Sequence, residues 1–365
     1  MPEKVRVGVA GTSWWADLLH LPALQSHPQA ELAALCGRDR ARAEEMARKY
    51  GAPKVFTDYR RMIEEAELDA LVVSVPDDLH REMIEAGLEA GLHVVCEKPL
   101  ARTLAEARRM YARAEAAGVK HMTFFTYRWL PHYRFLAELV DEGFIGPCYQ
   151  AGLRMISGIG RDGKYAWRMD GRRGSGVLGD LGSHLIDMAR FLVGDIRRVS
   201  AHLAVFVERP GPEGGLLEKP ANDAALLALE FESGAQGYLQ ASAVAHVGRR
   251  GQEQQVVLHG RAGTLEAGYT LGGASVSGAR QGERDFVQLP VPDRFWGEAD
   301  RGRPFQVFAS QPVGDRLFID AILHDRPVVP SFYDGLMAQA VIEAAFESHR
   351  TGAWVEVPDP TGTLS

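Results

Sequence analysis

The 365-residue chain has few cysteines and no long apolar run, and both absences narrow what it can be. Its three cysteines, Cys36, Cys96 and Cys148, are odd in number and far apart, so neither a disulfide framework nor a zinc site is indicated. No apolar run approaches the roughly 20 residues that a membrane helix needs. The N-terminus enters a strand at once, which leaves no room for a signal peptide. These features predict a protein of the reducing cytoplasm that does not bind membranes.

The chain also lacks an excess of positive charge. Its net charge is −7 and its pI is about 6.0, so no electrostatic footprint for nucleic acid is present. Hydrophobic residues make up 46% of the chain, which is ample for a packed core. The length suggests roughly two domains of ordinary size, and no internal repeat appears.

Short apolar strands alternate with helical segments in the first third of the chain. The predicted strands are residues 5–10, 32–36, 54–56, 68–75, 93–96 and 119–123. The helical segments between them end at glycines, among them Gly51, Gly91 and Gly118. This alternation predicts a right-handed, doubly wound parallel sheet.

The first strand runs into the turn from Gly11 to Ala16, which resembles the dinucleotide fingerprint G-x-G-x-x-G/A. In this frame Gly11 makes the tight turn and Ala16 allows close packing of helix and strand. Ser13 replaces the glycine that lets the backbone approach pyrophosphate, and its hydroxyl can itself donate to a phosphate. Trp14 and Trp15 are unusual beside a phosphate turn: one of them could pack over the cofactor, but burial against the neighbouring domain is the favoured interpretation. An ordinary strand-turn-helix is the alternative, but the position after the first strand favours a cofactor site.

The second strand ends in Gly37-Arg38-Asp39, where an acid for the ribose 2′-hydroxyl is expected. A guanidinium suits a 2′-phosphate because it is always charged and can bind two oxygens. Arg38 therefore favours NADP over NAD, which stays possible. The alternative is that Arg38 only stacks on adenine and that Asp39 caps the next helix.

Two further strand ends carry candidate site residues. Glu97-Lys98-Pro99 follows the strand at 93–96, where ligands bind in open parallel sheets, and Pro99 keeps Lys98 out of helical geometry. The strand at 68–75 ends at Pro76, a second edge of the site. His80 opens the next helix, and we expect it to pack against the loop rather than to be catalytic.

The second half of the chain has a different pattern. A glycine-rich stretch, 171–182, leads into an amphipathic helix in which Asp180 and His184 lie four residues apart, so a helical first turn would place them on one face. A carboxylate beside an imidazole orients it for proton transfer, although a capped helix with a structural histidine gives the same spacing. Strands punctuated by turn residues then follow from 199 to 266. Residues 272–279 are predicted to form a turn, and 312–324 and 334–350 to form two helices that cover the sheet.

These motifs, in this order, resemble the Gfo/Idh/MocA oxidoreductases, which include glucose-fructose oxidoreductase and inositol dehydrogenase. The resemblance rests on the N-terminal fingerprint, Pro76 to His80, Glu97-Lys98-Pro99, Tyr127-Arg128, Trp167-Arg168 and Gly176-x-x-Gly-Asp-x-Gly-x-His184. It implies an α/β fold with an N-terminal Rossmann domain, residues 1–123, and a C-terminal α+β domain, residues 124–365, with a large, mostly antiparallel open sheet. It also implies a homodimer or homotetramer formed through that sheet.

The resemblance assigns roles residue by residue. Lys98 corresponds to the active-site lysine, Asp180 to the substrate-binding aspartate and His184 to the acid/base, and these are the predicted catalytic residues. The predicted cofactor-binding residues are Gly11, Thr12, Ser13, Trp14, Ala16, Gly37, Arg38, Val75, Pro76, His80, Glu97 and Lys98. The predicted substrate-binding residues are Lys98, Arg128, Trp167, Arg168, Asp180 and His184. Asp77 departs from the family pattern, since asparagine is common there.

The predicted function is hydride transfer between NAD(P) and a secondary alcohol or ketone of a sugar or cyclic polyol. Two alternatives share the scaffold: an NAD-dependent glycosidase that keeps its cofactor bound, and a non-catalytic cofactor-sensing regulator. The regulator need not retain the lysine, aspartate and histidine. The expected partner is a small molecule, and neither a metal nor nucleic acid is predicted.

Overall fold

The computed structural model describes residues 4–360, which form two compact units. The first unit comprises residues 4–126, 297–299 and 305–336, and the second comprises 127–296, 300–304 and 337–360. The units group residues by mutual contact, so the domain limits drawn from the sequence, 1–123 and 124–365, stay a prediction.

The first unit is built on a sheet of six parallel strands, as the alternating sequence pattern predicts. The strands are β1 (Val5–Ala10), β2 (Ala30–Cys36), β3 (Lys54–Phe56), β4 (Ala70–Val73), β5 (His93–Glu97) and β6 (His121–Phe124). Their order is β3-β2-β1-β4-β5-β6, that of doubly wound dinucleotide-binding folds. The strand order reverses between β1 and β4, where such folds bind ligands at the carboxyl ends of the strands.

Several helices begin at a residue whose side chain caps the first turn. In chain order they are α1 (Leu21–Ser26), α2 (Arg40–Tyr50), α3 (Tyr59–Glu65), α4 (His80–Glu89), α5 (Leu104–Ala117), α6 (Pro131–Asp141), α7 (Ser183–Leu192), α8 (Asp293–Trp296), α9 (Val307–Ser310), α10 (Asp315–Leu323) and α11 (Phe332–Thr351). Thr103 caps α5 by accepting from the Glu106 N–H, and Gly118 ends it with φ +64°.

Helix α10 corrects one expectation from the sequence. Residues 312–324 are predicted to cover the antiparallel sheet, but α10 packs on β1 and β5 of the parallel sheet. Its buried face, which includes Phe318 and Ile319, is apolar and would suit either sheet. The sequence pattern therefore indicates a covering helix but not which sheet it covers.

The second unit contains a sheet of nine strands. They are β7 (Cys148–Ser157), β8 (Ile196–Ala204), β9 (Ala224–Phe231), β10 (Gln236–Ser242), β11 (Gln252–Gly260), β12 (Gly263–Thr270), β13 (Gly273–Arg280), β14 (Val287–Gln288) and β15 (Val355–Glu356), in the order β14-β13-β12-β11-β7-β10-β9-β8-β15. Neighbouring strands are antiparallel except for β7 and β10. The turn predicted at 272–279 is wrong, since these residues form most of β13. Pairing with β12 along its whole length overrides the low strand propensity of glycine, serine and alanine.

One face of this sheet is buried and the other is open. Strand β9 alternates buried Leu227 and Leu229 with Leu226, which is 54% exposed. On β10, Tyr238 lies over Gly152 of β7, and a Cβ at Gly152 would come within 2.7 Å of its ring. Assembly of a homodimer or homotetramer through this open face stays a prediction.

Candidate active site

Four neighbouring strands of the first unit end in register at one edge of the sheet. Ala10 at the end of β1 pairs with Cys36 of β2 and with Val73 of β4, and Val73 pairs with Cys96 of β5. Every cofactor-binding residue predicted from the sequence lies at the end of one of these strands or in the segment that follows it. The fold therefore brings four separate stretches of the sequence to the edge where such sheets bind dinucleotides.

The turn after β1 requires glycine at its first position. Gly11 has φ +127°, and a Cβ there would lie 2.0 Å from the carbonyl oxygen of Ser74. The Ser13 hydroxyl oxygen accepts from the Ala16 N–H at 3.1 Å, which leaves its own hydrogen free to donate. A π-helical segment, Ala16–His20, and then α1 follow this turn. The turn thus offers a small hydroxyl donor at a helix start, which fits a pyrophosphate.

The two tryptophans of this turn are placed differently. Trp14 is 67% exposed, whereas Trp15 packs edge-on against Trp14 and Phe305 with ring centroids 4.9 and 5.8 Å apart. The Trp15 Nε1 donor is buried and has no hydrogen-bond partner among residues 4–360. Trp14 therefore leaves an aromatic ring exposed beside the predicted phosphate turn.

The turn after β2 contains an arginine without a protein partner. A Cβ at Gly37 would lie 2.5 Å from the Thr12 side chain, so this turn packs tightly on the first one. Arg38 is exposed and makes no hydrogen bond or ion pair within the part of the chain that the structure describes. Asp39 caps α2 by accepting from the Arg42 N–H at 3.1 Å, as one of the sequence alternatives proposes. The guanidinium of Arg38 is thus available to an anion.

His80 connects the turn after β4 with the turn after β5. It is completely buried, with Nε2 3.0 Å from the Val75 carbonyl oxygen and Nδ1 3.0 Å from the Pro99 carbonyl oxygen. Burial lowers the pKa of the His80 ring, although both carbonyl contacts favour its protonated form. His80 packs against the loop as we expect from the sequence. Direct contact of its ring with the cofactor stays a prediction.

The turn after β5 is anchored by a buried charged cluster. Lys98 is partly buried, and its backbone N–H donates to the Glu97 carboxylate oxygen Oε2 at 3.2 Å. The other oxygen of that carboxylate, Oε1, lies 3.1 Å from Nε2 of His20. Nδ1 of His20 lies 2.8 Å from the carboxylate of Asp315 on α10. We call His20, Glu97 and Asp315 the His20 cluster.

The charge state of the His20 cluster follows from its contacts. Burial of His20 disfavours its charge, but the charges and hydrogen bonds of Asp315 and Glu97 outweigh burial and raise the pKa of His20 to about 10. The ring is therefore an imidazolium at neutral pH, and each of its two N–H groups points at a carboxylate.

In the second unit, one continuous helical segment contains both Asp180 and His184. Residues 176–177 open it, Leu178–Gly182 are π-helical, and α7 follows. Asp180 thus lies on the π-helical turn and His184 in the first turn of α7. Gly176 has φ +69°, and a Cβ there would lie 2.4 Å from a backbone oxygen. π-Helical turns are frequent at functional sites.

Three predicted substrate residues meet beside this turn. The Arg168 Nε lies 3.2 Å from the Asp180 carboxylate, and the guanidinium stacks on Trp167 at 5.1 Å from the ring centroid. All three side chains are partly accessible. A carboxylate, a guanidinium and an aromatic face together can accept from hydroxyls, donate to oxygens and cover the apolar face of a ring.

Tyr127 and Arg128 pack against the helix that contains His184. The Tyr127 ring meets the His184 ring edge-on, with centroids 4.5 Å apart, and its hydroxyl oxygen accepts from Gln252 at 3.0 Å. Arg128 donates through Nε and Nη2 to both carboxylate oxygens of Asp187, at 2.8 and 2.6 Å. Both residues of this pair are buried. The Nε and Nη2 groups of Arg128 thus bind Asp187, three residues beyond His184.

The partners that hold the predicted residues in place were not among the residues predicted from the sequence. Asp187 carried a weak signal, because it is an acid on the buried side of an amphipathic helix, one turn beyond His184. Asp315 carried no signal, since it lies 295 residues from His20 on a helix assigned to the other sheet. Gln252, which donates to the Tyr127 hydroxyl, also carried no signal, because a single polar residue at the start of a strand is common.

Two negative observations bear on the kind of site. Within residues 4–360, no group of three or more His, Cys, Asp and Glu side chains could hold a metal ion. None of the described helices has the length and apolar character needed to cross a membrane. The cytoplasmic location stays a prediction.

Two family models match most of the chain. Residues 5–125 match the Gfo/Idh/MocA model of an oxidoreductase family with an NAD-binding Rossmann fold, and residues 137–357 match the model of its C-terminal alpha/beta domain. The chain belongs to the Gfo/Idh/MocA oxidoreductase family, which confirms the resemblance seen in its motifs and the predicted fold. It is an enzyme, an NAD(P)-dependent dehydrogenase acting on CH–OH groups.

Individual relatives cover nearly the full chain. Levoglucosan dehydrogenase of Pseudarthrobacter phenanthrenivorans is 30% identical over 94% of this chain and 92% of its own length. D-apiose dehydrogenase of Paraburkholderia graminis is 28% identical over 93% of this chain and 86% of its own. A structure of levoglucosan dehydrogenase in complex with NADH aligns with a TM-score of 0.85 at 27% identity, covering 98% of this chain and all of the other.

Proposed function

We propose that the enzyme transfers hydride between a nicotinamide cofactor and a secondary alcohol or ketone of a sugar or cyclic polyol. The observation that carries the proposal is the alignment of the Gly11, Arg38, Pro76 and Lys98 segments at the ends of four adjacent parallel strands. The relatives named as sugar dehydrogenases support the substrate class.

In this proposal the cofactor contacts are those predicted from the sequence, with the pyrophosphate at the Gly11 turn. When bound, the nicotinamide supplies the hydride acceptor or donor. His184 removes the proton of the substrate hydroxyl, and Lys98 donates a hydrogen bond to the same oxygen as it becomes a carbonyl. Proton transfer of this kind contributes on the order of 10²–10⁴-fold to the rate.

The remaining predicted residues orient the substrate. Asp180 accepts from a neighbouring hydroxyl, while Trp167 and Arg168 contact the ring and its oxygens. For Arg128 we propose a further role, because two of its five N–H groups bind Asp187. Through this pair it supports α7, and thereby His184, while its contact with substrate stays a prediction.

We also propose that NADP is preferred over NAD, because the exposed Arg38 suits a 2′-phosphate. Quenching of the six tryptophans reports binding of NADPH and NADH to the purified protein. Arg38→Ala should weaken NADPH binding roughly 10-fold and leave NADH nearly unchanged, since one charge-assisted phosphate contact is lost. Arg40→Ala, which removes a neighbouring arginine paired with Glu44, is the matched control. Tighter binding of NADH than NADPH by the wild-type protein would exclude the preference.

The function itself is tested by a screen of sugars and cyclic polyols with NADP and NAD, after any cofactor that co-purifies has been removed. Reduction of free cofactor in proportion to oxidised sugar is the expected result. Product formed without net cofactor reduction, with cofactor that cannot be washed out, would contradict the dehydrogenase and favour the glycosidase alternative.

A further inference from the structure

The His20 cluster contains two buried carboxylates for one cation. Glu97 and Asp315 are 6% and 1% exposed, and His20 is completely buried. Two carboxylates held this close would repel each other in a medium of low dielectric constant unless a charge of opposite sign lay between them. A neutral imidazole has a single N–H and could donate to one of them only. With both carboxylates ionised, the geometry, which places a carboxylate at each ring nitrogen, favours an imidazolium.

The cluster reaches Lys98 through one carboxylate. Glu97 uses its oxygen Oε1 to contact His20 and its oxygen Oε2 to accept from the Lys98 backbone N–H. The direction of this carboxylate is thus fixed at one end by His20, which is itself held by Asp315. Because the other end accepts from the Lys98 backbone N–H, the carboxylate links His20 to the segment that carries the lysine.

We propose that His20 is a positioning residue for the reaction: its imidazolium holds the Glu97 carboxylate, and through it the Lys98 backbone, in the geometry that the Lys98 ammonium needs. The inference rests on the proposed function, in which Lys98 donates to the reacting oxygen. Asp315 holds the imidazolium in place through its contact with Nδ1, the ring nitrogen that does not face Glu97.

A second histidine of the same unit provides a matched control. His27, at the end of α1, has Nε2 3.2 Å from the carboxylate of Asp320, which lies on the same helix as Asp315. This pair also connects the start of the chain with α10, but it does not contact Glu97. His27→Gln therefore removes a histidine–carboxylate contact between similar elements and leaves the Lys98 turn intact.

The experiment compares His20→Gln, Glu97→Gln and His27→Gln in the full-length protein. The chain has only seven lysines, so reductive ¹³C-methylation gives a spectrum in which Lys98 is assigned by comparison with Lys98→Arg. This readout needs neither a substrate nor a cofactor. Unfolding temperature and turnover on the sugar or polyol found in the screen are measured alongside it.

We expect the Lys98 signal to move in His20→Gln and Glu97→Gln and to stay in place in His27→Gln. Turnover should fall roughly 10-fold or more in His20→Gln, because small displacements of a catalytic group are costly, and by less than about twofold in His27→Gln. Should His20→Gln not fold, Glu97→Gln provides the same test, since it keeps the size of the side chain.

Two results would overturn the inference: a Lys98 signal unchanged in folded His20→Gln and Glu97→Gln, or an equal movement in His27→Gln. If the proposed function were wrong, the experiment would give a different set of results. In that case wild-type enzyme oxidises no sugar or polyol, while the Lys98 signal still moves in His20→Gln and Glu97→Gln, which supports the positioning role.

Discussion

His20 in the first unit and His132 in the second are both completely buried but differ in charge. His20 lies between the carboxylates of Asp315 and Glu97, and its pKa is raised to about 10. His132, in the first turn of α6, stacks on Tyr269 with ring centroids 5.8 Å apart, and burial lowers its pKa to about 3. Neither ring nitrogen of His132 has a hydrogen-bond partner among residues 4–360. Burial sets the penalty for carrying a charge, and the partners decide whether the charge is present.

His184 is a third buried histidine to compare with these two: it is 4% exposed and is the proposed acid/base. The largest expected effect is therefore a loss of turnover on replacing His184, in contrast to the replacement of His132 in the same unit. His184→Ala should lower turnover about 10²–10⁴-fold, because the hydroxyl proton loses its acceptor, and Lys98→Ala should have a similar effect. Cofactor affinity, measured by tryptophan quenching, should change little in both. His132→Phe should keep wild-type turnover, and normal turnover in both alanine variants would refute the assignment.

Arg128 extends the comparison to a buried cation that cannot lose its charge. Arg128→Ala should reduce the free energy of unfolding by about 3–5 kcal/mol, because the buried Asp187 carboxylate loses two charge-assisted hydrogen bonds to the guanidinium. Urea denaturation measures this loss, which should be nearly the same at pH 6 and pH 9 because a guanidinium does not titrate there. Arg294→Ala breaks an exposed pair with Glu138 and should cost less than about 1 kcal/mol. Equal losses in the two variants would show that burial of the Arg128 pair is irrelevant.

The sequence was sufficient for the parts of the fold and site that depend on local pattern. The first sheet and its cofactor turns were predictable because each strand, turn and helix has its own signal, and parallel strands bring their carboxyl ends together. Gly11 illustrates this: its place after the first strand predicts the turn, and its φ of +127° explains the glycine.

What the sequence could not provide is pairing between distant segments. Asp315 meets His20 only because α10 packs on the parallel sheet, and an apolar helix face does not specify its sheet. The strand β13 was missed for a similar reason, since its eight residues become a strand through pairing with β12. Tertiary contacts override local propensity at such places.

The pH dependence of stability distinguishes His20 from Arg128. The pKa of His20 is about 10 in the folded chain and 6.5 in the reference state. Between pH 6.5 and pH 10, therefore, His20 carries a proton in the folded chain that it has released in the unfolded chain. The stabilisation is complete below pH 6.5 and is lost as pH rises towards 10. The difference in unfolding free energy between wild type and His20→Gln should therefore shrink by about 1.4 kcal/mol for each pH unit in this window. Urea denaturation at pH 7, 8 and 9 measures it, and a constant difference would exclude an imidazolium in the cluster.

His132 should show the opposite dependence on pH and the smallest effect. His132→Phe keeps an aromatic ring against Tyr269 and removes two buried polar atoms, so it should stabilise the protein by about 1 kcal/mol at pH 7. Because the folded pKa of His132, about 3, lies below the reference value of 6.5, the unfolded chain gains a proton as pH falls, and wild type loses stability. The advantage of the variant should grow by about 1.4 kcal/mol per pH unit below 6.5, where His20 contributes no slope. Denaturation at pH 7 and pH 5.5 measures this growth, with His324→Phe as a control at an exposed position. If His132→Phe were destabilising at both pH values, its ring nitrogens would have to make favourable contacts in solution, and the contrast between the two buried histidines would fail.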